Sequence, residues 1–179
     1  LYLGQCSVEK GVLDAIAAVR RANVHGGSEP FRLTIAGECV DDHVTRALEA
    51  AERDSAGLIR FIGFADGARK TVLWAEHDCL LLPTRYAHEG QPLVVLEALA
   101  YGRPVLATNW RAIPTMLPQG GGILVEPGNI EALAEALQQL ATWPDGAPAL
   151  RRHVEENFSL ARHVEKLAAA LRSLDAPPR

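Results

Sequence analysis

The feature that most limits the fold of this chain is a regular alternation of short apolar runs and amphipathic stretches. The stretches carry apolar residues at helical spacing, as at Val12, Ile16 and Val19. The apolar runs are continuous, which is typical of strands that are covered on both faces. This order predicts an α/β fold, a doubly wound parallel sheet of about six strands with helices on both faces. The six predicted strands are Leu1–Gly4, Arg32–Ala36, Ile59–Ile62, Cys79–Leu82, Val105–Ala107 and Gly122–Val125.

Composition excludes several classes of protein. Of the 179 residues, 48% are apolar and 22% are charged, which is the mix of a soluble globular domain. The formal net charge of -4 argues against a nucleic-acid partner, since non-specific binding needs a basic face. No apolar run approaches the roughly 20 residues of a membrane helix. The three cysteines form no CxxC pair and predict no disulfide framework, so we expect a cytoplasmic location.

The same pattern predicts the domain organisation. Residues 1–145 contain the strand-helix alternation and are expected to form an α/β core. Residues 146–175 contain no strand-like run and are expected to be helical. The length fits a single domain over residues 1–179. Because the chain opens inside a strand-like run with no methionine ahead of it, we also expect it to be cut from a longer protein.

The segment that follows the Cys79–Leu82 strand is the most informative for function. We predict a polar loop and then a helix that begins at Pro92, because proline is favoured at the first helical position. The amides of Gly90, Gln91 and Leu93 then lie free at the positive end of a helix, which is a site for an anion such as a diphosphate. Ligands of doubly wound sheets bind at this carboxyl edge.

Two glutamates flank this predicted anion site. Glu89 lies in the loop, and Glu97 lies eight residues later, beside the apolar residues of the helix. A carboxylate in such a place needs hydrogen-bond donors, because an unpartnered one is costly to bury. Two adjacent sugar hydroxyls are one source of donors. The alternative is that Glu97 caps a neighbouring loop or pairs with Arg103.

At this point the chain resembles the group 1 glycosyltransferases (glycosyltransferase family 4), whose GT-B architecture has two Rossmann-like domains. The resemblance covers nearly the whole chain. The segment from Glu89 to Glu97 is similar to the family's Glu-x7-Glu signature, and Gly102-Arg103-Pro104-Val105 is similar to the strand entry that follows it. Four further segments resemble the family in the same order along the chain, namely Lys10-Gly11-Val12, Leu33–Gly37, Ile59–Phe64 and Gly122–Val125 with Pro127-Gly128-Asn129.

The resemblance implies that the chain is the C-terminal, nucleotide-sugar-binding domain and that an N-terminal acceptor domain is absent. The implied reaction transfers a sugar from a nucleoside-diphosphate sugar to a lipid, glycan or small-molecule acceptor, with retention and without a metal or other cofactor. The isolated domain is then expected to be inactive. The alternatives are a non-catalytic nucleotide-binding or interaction module derived from such an enzyme, and a sugar-nucleotide epimerase on the same architecture.

The resemblance also implies a role for individual residues. Glu97 is expected to bind the ribose hydroxyls, Glu89 to lie against the transferred sugar, and Lys10 to neutralise the departing diphosphate. Glu89 and Lys10 are therefore the predicted catalytic residues. The segment from Arg60 to Gly63 is expected to flank the base. The remaining predicted contacts to the donor are made by Gln5, Gly90, Gln91, Pro92, Leu93 and His88.

One position departs from the family pattern. The family usually has a Gly-Arg pair after the first strand, whereas this chain has Gly4-Gln5. A neutral amide does not replace a bidentate guanidinium on a diphosphate. Another cation serves, Arg85 for example, or donor binding is weaker, or activity has been lost.

Three alternatives stay open on sequence alone. Glu38, Asp41, Asp42 and His43 resemble metal ligands, but an aspartate at this point between a strand and a helix is typical of an N-cap, so we predict no metal site. His88 is equally a solvated loop histidine. Lys10 is equally a surface lysine.

Overall fold

The computed structural model describes residues 1–24, 30–144 and 146–174. Each of the six predicted strands is present with bounds that differ by two residues or fewer. In chain order the strands are β1 (Tyr2–Leu3), β2 (Leu33–Ala36), β3 (Ile59–Phe61), β4 (Leu80–Leu82), β5 (Val105–Thr108) and β6 (Gly122–Val125). The helices of the described residues are α1 (Val12–Val24), α2 (Asp42–Asp54), α3 (Gly67–Glu76), α4 (Leu93–Ala100), α5 (Ile113–Met116), α6 (Ile130–Leu140), α7 (Ala147–Phe158) and α8 (Leu160–Leu174).

The strands form two parallel three-stranded sheets, with the orders β1-β2-β3 and β4-β5-β6. The two sheets meet where β1 lies beside β4. There the Leu81 amide donates to the Leu1 carbonyl at 2.8 Å, and the Leu1 nitrogen donates to the Cys79 carbonyl at 2.9 Å. The expected single sheet is thus divided at β1, since this strand is only two residues long. The strands still lie side by side in the order 3-2-1-4-5-6. The chain builds the sheet outward in one direction from β1 to β3 and in the opposite direction from β4 to β6, so the topological switch point lies between β1 and β4.

Helices cover both faces of the sheets. Successive strand residues point to opposite sides, so Leu81 joins one apolar cluster while Leu80 and Leu82 join the other. The first cluster also contains buried residues of α1, α2 and α6, and the second contains those of α3, α4 and α7. The predicted α/β class, with parallel strands between two helical layers, is therefore confirmed.

Two helix starts test predictions made from the sequence. The Asp41 side chain accepts a hydrogen bond from the His43 amide at 2.7 Å, so Asp41 is the N-cap of α2. The sequence predicts a helix that begins at Pro92, but α4 begins at Leu93 instead. Pro92 has a ψ of 113°, which is extended backbone, and it occupies the N-cap position. The first helical amide of α4 is therefore the free N–H of Leu93.

The C-terminal segment forms α7 and α8. Helix α7 packs on α4, whereas α8 leaves the apolar side chains of Leu160, Val164, Leu167 and Leu171 exposed. Residue 175, the last of the predicted helical segment, lies outside the described residues. The division into 1–145 and 146–175 stays a prediction.

Candidate functional site

The candidate site is a cleft of about 420 Å³ at the carboxyl ends of β1 and β4. This volume lies within the usual range for a small-molecule site. Its place follows from topology, because loops diverge where the strand order reverses and leave a crevice between them. The cleft lining includes Gln5, Lys10, Glu38, Phe64, Lys70, Glu89, Pro92, Leu93, Val94 and Glu97.

The loop after β1 carries Lys10, and close contact with the loop after β4 holds it in place. Gly11 has a φ of +78°, and a Cβ at this position would lie 2.1 Å from the Pro83 carbonyl oxygen. Only glycine therefore permits the two loops to approach this closely. The Arg85 amide also donates to the Glu9 carbonyl at 2.8 Å.

The side chain of Tyr2 also holds the loop that carries Lys10. Its hydroxyl donates to the carbonyls of Gln5 and Lys10, at 2.8 Å and 3.3 Å. Burial raises the pKa of Tyr2 well above its usual value of 10.0, with further contributions from Cys6, Glu89 and Cys39. Tyr2 therefore remains a neutral hydrogen-bond donor through the physiological range.

Lys10 and Glu89 form an ion pair at one end of the cleft. The Lys10 ammonium lies 3.0 Å from Oε1 and 2.9 Å from Oε2 of Glu89. The Thr84 hydroxyl donates to Oε2 at 2.9 Å, and the Tyr86 ring centroid lies 4.7 Å from the Lys10 ammonium. Only 6% of the Glu89 side chain is exposed. Both oxygens of this buried carboxylate are satisfied by protein groups, and the surface-lysine alternative for Lys10 is wrong.

Glu97 and Lys70 form a second ion pair at the other end. The Lys70 ammonium lies 2.7 Å from Oε1 of Glu97, and about a third of each side chain is exposed. Oε2 of Glu97 is buried and has no hydrogen-bond partner among the described residues. An unpartnered buried acceptor of this kind costs about 1–3 kcal/mol. The described residues thus leave this oxygen without a donor, in a residue that lines the cleft.

The alternative pairing of Glu97 with Arg103 is wrong. The Arg103 guanidinium donates instead to the carbonyls of Trp74 and Ala75, at 3.0 Å and 2.9 Å. Arg103 thus caps the carboxyl end of α3. It does not reach the Glu97 side chain.

The free amides lie near the start of α4. Within the part of the chain that the structure describes, the amides of Gly90, Gln91, Leu93 and Val94 have no hydrogen-bond acceptor. Leu93 and Val94 line the cleft with Pro92, whereas Gly90 and Gln91 are exposed beside it. The helical pattern places Leu93 on the apolar face of the helix, but its side chain is 69% exposed.

Some predicted site residues are not brought to the cleft. Arg60 is exposed and lines a different hollow. His88 is exposed, with its ring against that of Tyr86 at a centroid distance of 5.6 Å. Arg85 pairs with Asp14 and does not line the cleft, so it does not replace the missing arginine. Gln5 itself does line the cleft.

Two residues of the site were missed from sequence. Lys70 lies 27 positions before its partner Glu97, and no motif joins the two. Thr84 directly follows the β4 strand and its proline, a position that could have drawn attention to it at the carboxyl edge. The chain has three lysines, and the structure places two of them, Lys10 and Lys70, in the cleft lining.

A second hollow is larger, at about 920 Å³, but lies at the amino ends of the strands. Its lining includes Leu33, Cys79 and Pro104, each at or before the start of a strand. Doubly wound sheets bind ligands at the opposite edge, so the smaller cleft is the better candidate. Chemistry agrees, because the orphan Glu97 oxygen and both lysine-glutamate pairs lie in the smaller cleft.

Neither a metal cluster nor a membrane span was found. Residues 1–24, 30–144 and 146–174 contain no group of three or more His, Cys, Asp or Glu side chains able to hold a metal ion. No helix within these ranges has the length and apolar character needed to cross a bilayer. The absence of a metal from the reaction stays a prediction.

Similarity to known proteins agrees with this geometry. A family model described as "Glycosyl transferases group 1" matches residues 1–142. Glycogen synthase of Mycobacterium tuberculosis is 34% identical over 161 residues, which are 89% of this chain and 37% of that protein. The chain thus spans well under half the length of this relative.

Two solved structures establish the fold. HepE of Anabaena in complex with UDP-glucose has a TM-score of 0.77 at 19% identity, over 96% of this chain and 48% of that one. The C-terminal domain of the group 1 protein LpcC from Francisella tularensis has a TM-score of 0.71 at 22% identity, over 89% of this chain and 85% of that one. The fold is that of one Rossmann-like half of a GT-B protein, and with the family match it follows that the chain belongs to the group 1 glycosyltransferases.

Proposed function

We propose that the chain is the nucleotide-sugar-binding domain of a retaining glycosyltransferase. The reaction moves a sugar from a nucleoside-diphosphate sugar to a lipid, glycan or small-molecule acceptor held by a separate N-terminal domain. The observation that carries the proposal is the buried, unpartnered Oε2 of Glu97, a residue that lines a cleft at the switch point of the sheet.

Glu97 recognises the ribose in this proposal. A carboxylate oxygen only accepts hydrogen bonds, so its partner in the cleft has to be a donor such as a hydroxyl. The ribose of a nucleotide offers two adjacent hydroxyls. Binding removes the cost of the unpartnered Oε2, and this gain is available only to ligands with a hydroxyl at that place.

Lys10 and the start of α4 receive the diphosphate. The Leu93 and Val94 amides are free at the positive end of the helix and line the cleft. The Lys10 ammonium uses its bonds to Glu89 to stay in position and has a further N–H for an anion. Its charge stabilises the diphosphate as it leaves. The main role of Glu89 in this proposal is to hold Lys10 in position. Its contact with the transferred sugar stays a prediction.

The proposal includes no metal and a cytoplasmic location. The described cleft offers Lys10 and a helix N-terminus, which are groups able to bind a diphosphate without Mg²⁺. The three cysteines are free thiols, which fits a reducing compartment. HepE, which shares the fold, is described in complex with UDP-glucose, and this supports a nucleotide-sugar ligand for the chain.

Calorimetry of the chain with UDP, GDP and ADP tests the proposal. We expect one of the three to bind and Glu97→Ala to abolish the binding. The matched control is Glu135→Ala, which removes an exposed glutamate of α6 far from the cleft lining. If none of the three nucleotides binds the unaltered chain, the proposed function is wrong.

A second candidate is a non-catalytic nucleotide-binding or interaction module derived from such an enzyme. The charge of the cleft favours it, because Lys10 and Lys70 face Glu38, Glu89 and Glu97, and Gln5 adds no cation. Gln5→Arg supplies the missing guanidinium and is expected to tighten UDP, GDP or ADP binding about tenfold. No gain in affinity would mean that the missing arginine does not limit binding.

The chain alone is expected to transfer no sugar. In a GT-B enzyme the reacting carbon lies in the cleft between two domains, and a single domain does not position an acceptor for attack. Incubation with UDP-glucose, GDP-mannose and ADP-glucose, followed by detection of free nucleotide and glycosylated product, measures this. Transfer at a rate typical of enzymes would show that the acceptor site lies within residues 1–179.

A further inference from the structure

We propose that Lys70 is the partner of Glu97 in ribose recognition: its ammonium positions the carboxylate and, together with the orphan oxygen, forms a two-sided site for a vicinal diol. The inference rests on the proposed function, since it assumes that a nucleotide occupies the cleft. Neither the motif pattern nor the resemblance assigned a role to Lys70.

Lys70 is held at the wall of the cleft by helix α3. It lies in the first half of α3, and its amide donates to the Asp66 carbonyl at 3.1 Å, so its backbone is fixed by the helix. From there the side chain reaches across to Glu97 on α4, with Nζ 2.7 Å from Oε1. Both residues line the cleft. Lys70 therefore lies at the wall of the site and not behind it.

Lys70 and Glu97 do not use all of their hydrogen-bonding groups on each other. A lysine ammonium has three donors, and Glu97 is the one hydrogen-bond partner that the described residues offer to the Lys70 side chain. Two N–H groups are thus available to a ligand. Glu97 in turn holds Oε1 against Lys70 and leaves Oε2 without a partner among the same described residues. The pair therefore combines free donors with an unpartnered acceptor whose surface is closed to solvent, so a ligand hydroxyl has to displace part of its cover to reach it.

This combination matches a vicinal diol better than it matches a single hydroxyl. Each hydroxyl of a diol donates once and accepts as well. The 3′-hydroxyl donates to Oε2, and the 2′-hydroxyl accepts from the ammonium, so that loss of the 2′-hydroxyl removes the contact made by Lys70. Removal of the hydroxyl at Oε2 leaves a buried acceptor without a partner, and removal of its neighbour leaves the partly exposed ammonium with one bond fewer. Lys70 is a positioning residue toward Glu97 and a specificity residue toward the ribose.

The test compares ribonucleotides with deoxyribonucleotides by calorimetry. The probes are UDP, GDP and ADP with their 2′-deoxy counterparts, and the readout is the affinity ratio between the two forms. We expect the unaltered chain to prefer the ribonucleotide by about tenfold. Lys70→Met is expected to lower ribonucleotide affinity about tenfold, to change 2′-deoxy affinity little, and so to bring the ratio near one. Lys70→Arg keeps the charge and the pair, and is expected to keep most of the ratio.

Lys166→Met is the matched control, since it removes the third lysine of the chain at an exposed position of α8. It is expected to leave both affinities unchanged. A general loss of folding lowers both affinities together and leaves their ratio intact, so the ratio distinguishes recognition from damage. Where Lys70→Met fails to fold by thermal unfolding, Lys70→Gln replaces it, with an expected ratio of about three.

The two levels of the proposal fail differently. If the unaltered chain binds none of the ribonucleotides, the proposed function fails. If it binds one but Lys70→Met, or Lys70→Gln in its place, has the same ribose-to-deoxyribose ratio, the role of Lys70 is overturned while nucleotide binding stands.

Discussion

The two ends of the cleft contain the same pair of side chains in two different states. At one end, Lys10 contacts both oxygens of Glu89, Thr84 donates to the same carboxylate, and almost none of the glutamate is exposed. At the other end, Lys70 contacts one oxygen of Glu97, and the second oxygen is buried without a partner among the described residues. The first end is complete as a protein structure, whereas the second lacks a donor.

This difference separates a pair that also has a structural task, at Lys10 and Glu89, from a pair whose task is binding, at Lys70 and Glu97. A satisfied, buried ion pair holds two loops together, and removal of one member leaves the other as a buried charge without a partner. A half-satisfied, partly exposed pair adds little to stability, but it leaves capacity for a ligand. We therefore expect changes at the Lys10–Glu89 end to lower stability most, and changes at the Lys70–Glu97 end to alter nucleotide specificity most.

The largest expected loss of stability comes from Gly11→Ala. A new Cβ would lie 2.1 Å from the Pro83 carbonyl oxygen, which forces apart the loops that carry Lys10 and Glu89. Together with the left-handed φ of +78°, this is expected to cost about 3 kcal/mol or more in urea unfolding.

Gly128→Ala is the matched control for that experiment. Gly128 has a φ of +79°, and beyond its chain neighbours no atom lies within 4 Å of the place that a Cβ would occupy. The backbone strain is thus the same without the clash, and we expect a loss of about 1 kcal/mol. Equal losses of unfolding free energy for the two variants would contradict the idea that close loop contact at Gly11 stabilises the Lys10–Glu89 end of the cleft.

Lys10→Met and Lys70→Met compare the two ends directly. Lys10→Met leaves the buried Glu89 with the Thr84 hydroxyl alone and is expected to lower the free energy of unfolding by about 2 kcal/mol. Lys70→Met breaks a pair that is about a third exposed and is expected to cost less than about 1 kcal/mol. Denaturant unfolding of both variants measures the difference. A larger loss for Lys70→Met would reverse the assignment of the two ends.

Thr84→Val removes a hydroxyl from the Lys10–Glu89 end of the cleft and leaves the side-chain volume almost unchanged. Thr84 is fully buried, donates to Glu89 Oε2 and accepts from the Tyr86 amide at 3.2 Å. We expect a loss of about 1–2 kcal/mol, because two buried groups lose a partner. The exposed Thr115 provides the control in Thr115→Val. Calorimetry should find the ribose-to-deoxyribose ratio unchanged in Thr84→Val, and a changed ratio would mean that the two ends are coupled.

Tyr2→Phe has a small expected effect at neutral pH, about 1 kcal/mol, through lost hydrogen bonds to the Gln5 and Lys10 carbonyls. Its signature lies at alkaline pH. Burial raises the folded-state pKa of Tyr2 above the usual 10.0, so its neutral form stabilises the fold fully below about pH 10. This contribution is lost as the pH rises through the folded-state value.

Unfolding at a series of pH values from 8 upward measures the Tyr2 effect. Burial also raises the pKa of the Cys6 thiol, to about 12, and that of the Cys79 thiol, so the unaltered chain loses stability from these groups together with Tyr2. Tyr2→Phe should lose less stability than the unaltered chain as the pH rises above about 10. Parallel pH profiles for the two proteins would show that Tyr2 does not support the Lys10 loop through its hydroxyl.

The architecture could be predicted from sequence because local patterns carry it. Continuous apolar runs mark the strands, helical spacing marks the helices, and both patterns depend only on neighbouring residues. The division of the sheet at β1 was not predictable, since it depends on how two residues pair with strands that lie far away along the chain. The start of α4 differed by one residue because proline is compatible with both the N-cap and the first helical position.

The site was predictable where a motif carried it and not where partners meet through space. Glu89, Glu97 and Lys10 stand in recognisable segments, and the structure brings all three to one cleft. The pairing itself was not visible, because Lys10 and Glu89 are 79 positions apart and Lys70 and Glu97 are 27. Only the tertiary structure could decide that one carboxylate is satisfied and the other half-free, since hydrogen bonding depends on distance and burial. The chain by itself determined the order of the elements and the types of charged group, and the packing of loops and helices determined which groups remain for a ligand.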